Sequence, residues 1–210
     1  MAGQTLEARS GGETPAAERG KDLARLRRIG ALHLVMAMAA ITLWGAADAW
    51  AVASGWGLAQ AVALANAAIA AIVLVSLVHE WGHYAGARLA GAEAPVFPKP
   101  VRYFFLFDFR FDRNDRRQFL WMSAGGILAP WALVVLAVLC VPIDNASRAM
   151  LLAALVARAV QIAVFEVPVA LNTAQGAEPR AELERQVKAG GLVRGRWIGL
   201  AAGALVWLAA

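Results

Sequence analysis

Residues 58–88 read LAQAVALANAAIAAIVLVSLVHEWGHYAGAR, an apolar run that passes without a proline into His79-Glu80-Trp81-Gly82-His83. The run is long enough for a membrane-spanning helix, which takes about 20 predominantly apolar residues. Two histidines at i and i+4 lie on one helix face and can both reach a single tetrahedral Zn²⁺. Glu80, between them, is placed to take a proton from a water that the metal acidifies. His-Glu-x-x-His is short and arises by chance in unrelated chains. Ionisable side chains at membrane depth are costly, however, and these three are nearly the only ones between Leu58 and Ala87. His79 and His83 are therefore the expected metal ligands and Glu80 the expected general base.

The rest of the chain agrees with a membrane setting. Of its 210 residues, 60% are hydrophobic and 17% charged, and the mean hydropathy is +0.56. Soluble domains sit nearer half apolar and a quarter charged. The 8 Trp suit aromatic anchors at the two interfaces. A net charge of +5 does not argue for nucleic acid, because the basic residues flank apolar runs and read as topology signals. The lone Cys140 cannot form an internal disulfide and is silent on redox compartment.

Working outward from the motif, other apolar runs cover about Gly30–Ala53, Phe119–Val141 and Ala146–Leu171, with a short last one at Trp197–Ala210. Ala47-Asp48-Ala49 resembles a signal-peptidase site, but the long, acidic region before it favours an uncleaved span. Residues 1–28 hold little apolar surface and read as a flexible cytoplasmic tail, whose basic end from Lys21 to Arg28 suits a short helix; residues 29–210 form one polytopic domain. Between spans, Pro95, Pro98 and Pro100 exclude a helix interior, and the aromatic, partly alternating Val101–Phe111 suggests one or two interfacial β-strands. Residues 173–191 read as a polar, helical stretch. The fold class expected is an all-α integral membrane protein of about five transmembrane helices with a small interfacial β-element.

Charge sets the expected orientation. Of 20 Lys and Arg, six precede residue 29, seven lie between 88 and 117, and five between 180 and 196. Alternating spans put all three segments on one side, which the positive-inside rule makes cytoplasmic. The expected location is a bacterial inner membrane, multi-pass, with the N terminus in the cytoplasm and the histidines near the cytoplasmic face.

Three elements in order carry a family resemblance over about residues 58–175. They are Val78-His79-Glu80-Trp81-Gly82-His83-Tyr84-Ala85-Gly86-Ala87-Arg88, the β-rich stretch that follows, and the Gly-rich opening of the next span around Ser123-Ala124-Gly125-Gly126 up to Pro130. Together they resemble the site-2 proteases, the intramembrane zinc metalloproteases. The resemblance implies hydrolysis of a peptide bond in a transmembrane or membrane-proximal segment of a membrane-protein substrate that unwinds locally. It also implies close helix contact at the small residues.

The family draws its third ligand from an Asp in a Leu-Asp-Gly motif after an Asn and a Pro. Here the corresponding stretch is Phe165-Glu166-Val167-Pro168-Val169-Ala170-Leu171-Asn172-Thr173. Asn172 stands where the Asp is expected, and an amide is a poor zinc ligand. Glu166, just before a proline expected to break the helix, is favoured as third ligand; its alternative role is counter-ion to Arg158. Asp108 and Asp112 would require the strands to fold back into the site. Arg158 and Gln161 read as hydrogen-bonding partners between helices or as lining for a water path, and the aromatics of residues 103–111 as interfacial packing. The alternatives to an enzyme are a proteolytically inactive scaffold of the same fold and, more distantly, a small transporter subunit. Oligomeric state is not legible.

Overall fold

In a computed structural model the described residues are 15–101 and 105–210. Among them, five helices are long and apolar enough to cross a membrane. They are α1 (Pro15–Ser54), α2 (Gly57–Leu89), α3 (Arg116–Cys140), α4 (Ala146–Ala174) and α6 (Gly191–Ala209). The short α5 (Pro179–Lys188) joins the last two, and an antiparallel hairpin of β1 (Val96–Val101) and β2 (Phe105–Phe107) joins α2 to α3. The chain is an all-α, multi-pass membrane protein with one small sheet.

Its packing is that of a protein solvated by lipid. The buried positions of α2 are largely alanines, Ala59, Ala63, Ala67, Ala70 and Ala71, whereas Leu34, Val35, Leu43, Leu128 and Leu139 face outward. With no hydrophobic drive between helices in a bilayer, small residues that let backbones approach are what fill the interfaces. The α2–α3 crossing shows this at its closest: a Cβ added to Gly82 would overlap the Gly125 carbonyl, and one added to Gly86 would overlap that of Trp121. The Gly-rich opening of α3 thus does what the sequence suggested. Asp115 caps that helix, accepting from the Gln118 backbone N–H at 2.8 Å while the Gln118 side chain returns a bond to the Asp115 N–H.

Three expectations need correction. Residues 1–14 of the expected flexible tail lie outside the described residues; the helix expected over Lys21–Arg28 is present, but it begins at Pro15 and runs on into the first span as α1. Tertiary contact supplies what local composition does not: Ile29 is fully buried with Tyr84, Val96 and Leu106, and Asp22 accepts from the Val96 backbone N–H at 2.7 Å. The last span starts at Gly191 instead of Trp197: Gly195, Gly199 and Gly203 seat α6 on α4, where added Cβ atoms would meet the carbonyls of Gln161, Ala157 and Ala153, and Gly191 packs on the Gln186 carbonyl of α5 and the Phe165 ring. At 19 residues α6 is about 28 Å long, enough to span. Pro168 does not end α4, which continues to Ala174. Breaking a helix in apolar surroundings strands more backbone groups than the single N–H that proline lacks.

The three basic segments meet at one end of the bundle. Arg28 donates to the Pro98 carbonyl, Asp22 holds β1, and Arg116 donates to the Gly176 carbonyl at 3.2 Å. At the other end Arg148 pairs with Asp48 and Asp144, each at 2.9 Å.

Candidate metal centre

α2 carries His79 and His83 one turn apart, and their ring centroids lie 4.4 Å from each other. Two carbonyls of α3 orient the rings: His79 Nδ1 lies 2.9 Å from the Gly126 oxygen and His83 Nδ1 2.9 Å from that of Met122. A carbonyl only accepts, so both Nδ1 atoms carry the proton and both Nε2 atoms present lone pairs. This geometry depends on the missing side chain of Gly126, since a Cβ there would fall inside the His83 ring.

α4 closes the site with Glu166. Its Oε1 lies 3.2 Å from His79 Nε2 and 3.2 Å from His83 Nε2, and its Oε2 is buried with no hydrogen-bond partner. Three acceptors thus face one another, an arrangement that repels unless a cation or a proton sits among them. The ligand atoms of His79, His83 and Glu166 all fall within 4.8 Å of one another, close enough for one ion. Two imidazole nitrogens and a carboxylate, each imidazole fixed by a backbone carbonyl behind it, form a donor set suited to zinc with a position left open. The residues present fit the ion.

Glu80 and the three candidate ligands line one cavity of about 420 Å³, together with Phe107, Phe109, Arg158 and Gln161. Along the axis of α2, His79 lies about 33 Å from Gly57, roughly one hydrocarbon thickness from the far end.

The other singled-out residues sort clearly. Asn172 is turned away, donating to Glu182 at 2.7 Å. There Arg185, with the Asn172 amide, holds the Glu182 carboxyl below the usual carboxylate range. Asp108 is half exposed and pairs with Arg110 at 3.0 Å. Glu166 faces the histidines and is not the counter-ion of Arg158, which bonds Gln161 three residues along the same helix at 2.6 Å and reaches Ser76 of α2 at 3.5 Å. The aromatics pack, Phe107 on Tyr84 and Phe109 between Phe111 and Phe119, yet Phe107 and Phe109 also face the cavity. Sequence reasoning missed the carbonyls of Met122 and Gly126. It also missed His33, which accepts from the Trp81 indole at 3.1 Å and fixes the middle of the motif against α1.

No protein-family model, no curated protein and no solved structure matches this chain.

Proposed function

We propose that the chain is an intramembrane zinc metalloprotease that hydrolyses a peptide bond in a transmembrane or membrane-proximal segment of a membrane-protein substrate. The observation that carries this reading is the convergence of His79 Nε2, His83 Nε2 and Glu166 Oε1, with Glu80 in the same cavity. Binding or transport alone has no need of a carboxylate placed beside a three-donor site.

His79, His83 and Glu166 would hold the ion. Bound zinc supplies a Lewis acid for the scissile carbonyl and brings the pKa of a water near neutrality. Glu80 takes the proton of the attacking water and returns it to the departing amine. The substrate must present its peptide bond unwound, since a helical backbone hides its carbonyls in its own hydrogen bonds. The basic-residue asymmetry supports a cytoplasmic N terminus and a site reached by water from that side, in a bacterial inner membrane.

Two measurements test this. Detergent-purified protein should hold about one zinc per chain, as one such site requires. Glu80→Gln should keep the zinc and lose about 10²–10⁴-fold in cleavage, because an amide of nearly the same shape cannot accept the proton. The inactive variant should also co-purify with uncut membrane substrate. If the zinc-loaded wild type leaves intact every membrane protein that Glu80→Gln retains, the chain is a scaffold of this fold and not a protease.

A further inference from the structure

Arg158 lies near the middle of α4, about 12 Å along the helix axis from Glu166. It borders two cavities. One is the cavity that holds His79, Glu80, His83 and Glu166. The other, of about 400 Å³, lies between α2, α4 and α6 and is almost wholly apolar, walled by Ile72, Ala153, Ala154, Ala157, Leu200 and Trp207. Arg158 is the polar group where this groove meets the chemistry.

The guanidinium there lacks an opposite charge. Its hydrogen-bond partners are neutral, the side-chain amide oxygen of Gln161 and the Ser76 hydroxyl, and its Nε is buried with none. Among the described residues no carboxylate forms an ion pair with it. A cation held at membrane depth without a counter-charge is costly and is retained where something brings that charge.

We propose that Arg158, held in place by Gln161, selects substrates by a carboxylate: an Asp or Glu in the membrane-embedded segment that lies along the groove. For a substrate chain extended between Arg158 and the ligand cluster, 12 Å corresponds to about three to four residues from the scissile bond. A substrate carboxylate explains the site better than a lipid phosphate. Arg158 shares the cavity of the ligand cluster, and a phospholipid headgroup resident there would block the chemistry it borders. The inference rests on the protease reading, so its test separates binding from cleavage.

Full-length Glu80→Gln protein, zinc-loaded, is reconstituted in phosphatidylcholine vesicles with synthetic transmembrane peptides. Each peptide carries a single Glu, or Gln in the control, at one of successive positions. Binding is read by energy transfer between labelled peptide and protein. At one or two adjacent positions the Glu peptide should bind about ten-fold tighter than its Gln twin, and the same peptides are then offered to the wild type for cleavage. The preference should vanish in Arg158→Gln, persist in weakened form in Arg158→Lys, and reverse toward a Lys peptide in Arg158→Glu. Unchanged zinc content certifies that each variant is folded. Equal binding of Glu and Gln peptides at every position overturns the inference, even if the wild type cleaves them. A clear Glu preference with no cleavage upholds it and removes the protease reading instead. Retention of phosphatidylglycerol by the wild type, lost in Arg158→Gln and unaccompanied by any peptide preference, assigns the arginine to lipid and also overturns it.

Discussion

Replacing Gly126 by alanine isolates the backbone's part in the candidate centre, because it adds one methyl group and changes no ligand. That methyl would overlap the His83 imidazole at Cε1, Nδ1 and Nε2, so the ring must swing aside. It then loses its 2.9 Å bond to the Met122 carbonyl and its 3.2 Å approach to Glu166. Loss of an outer-shell partner alone lowers metal affinity about 10–100-fold, and a displaced ligand costs more. Zinc affinity should therefore fall at least about 100-fold, equivalent to roughly 2.7 kcal/mol. Folding should suffer less. Overpacking costs about 1–3 kcal/mol, and the gain in helix propensity offsets about 1 kcal/mol of it. Chelator competition measures the first quantity, and thermal unfolding of zinc-free protein in detergent the second. Gly45→Ala on α1, where an added Cβ meets nothing within 4 Å, is the control and should leave zinc affinity unchanged. A Gly126→Ala protein that binds zinc within three-fold of the wild type would refute the coupling between this glycine and the His83 ring, and with it the three-donor geometry.

Glu166→Ala should lower both zinc content and cleavage, whereas Asn172→Ala, which removes only the 2.7 Å bond to Glu182, should keep full zinc; metal analysis of the two proteins side by side distinguishes the ligand from its neighbour in sequence. The orientation is checked by replacing Cys140 and introducing a cysteine at the exposed Lys99 of β1. An impermeant reagent added outside intact spheroplasts should leave it unlabelled, and labelling would reverse the assigned sidedness.

The parts legible in the sequence were those governed by local period and solvent. Apolar length marked the spans, i, i+4 spacing marked His79 and His83, and small residues marked the α2–α3 crossing. What escaped depends on contacts between distant segments. The first turns of α1 look too polar to order alone and are ordered by β1. Arg194 and Arg196 obscure the start of α6, although the four-residue spacing of Gly191, Gly195, Gly199 and Gly203 is a readable signal for a helix packed by its backbone. The hairpin begins earlier than the aromatic run suggested: β1 occupies residues 96–101, through Pro98 and Pro100, while the alternating aromatics supply β2 and the loop into α3. At the centre, ligand chemistry favoured Glu166 over Asn172 in the sequence, but that Glu166 faces the histidines while Asn172 turns to Glu182 depends on the rotation of α4 about its axis.

The candidate centre draws its two imidazoles from α2, the carbonyls that steer them from α3, and its carboxylate from α4, with His83 and Glu166 83 positions apart in the chain. An ion held there would act as a cross-link closing that long loop, and loop closure is a constraint felt mainly by the unfolded chain. Its binding energy would then be spread over the mutual docking of three helices and not confined to the cavity, in keeping with the linkage of metal binding to folding. Chelation would first loosen α4 against the α2–α3 pair. The α2–α3 pair itself, locked by direct backbone contact at Gly82, Gly86 and Gly125, would outlast the loss of the metal.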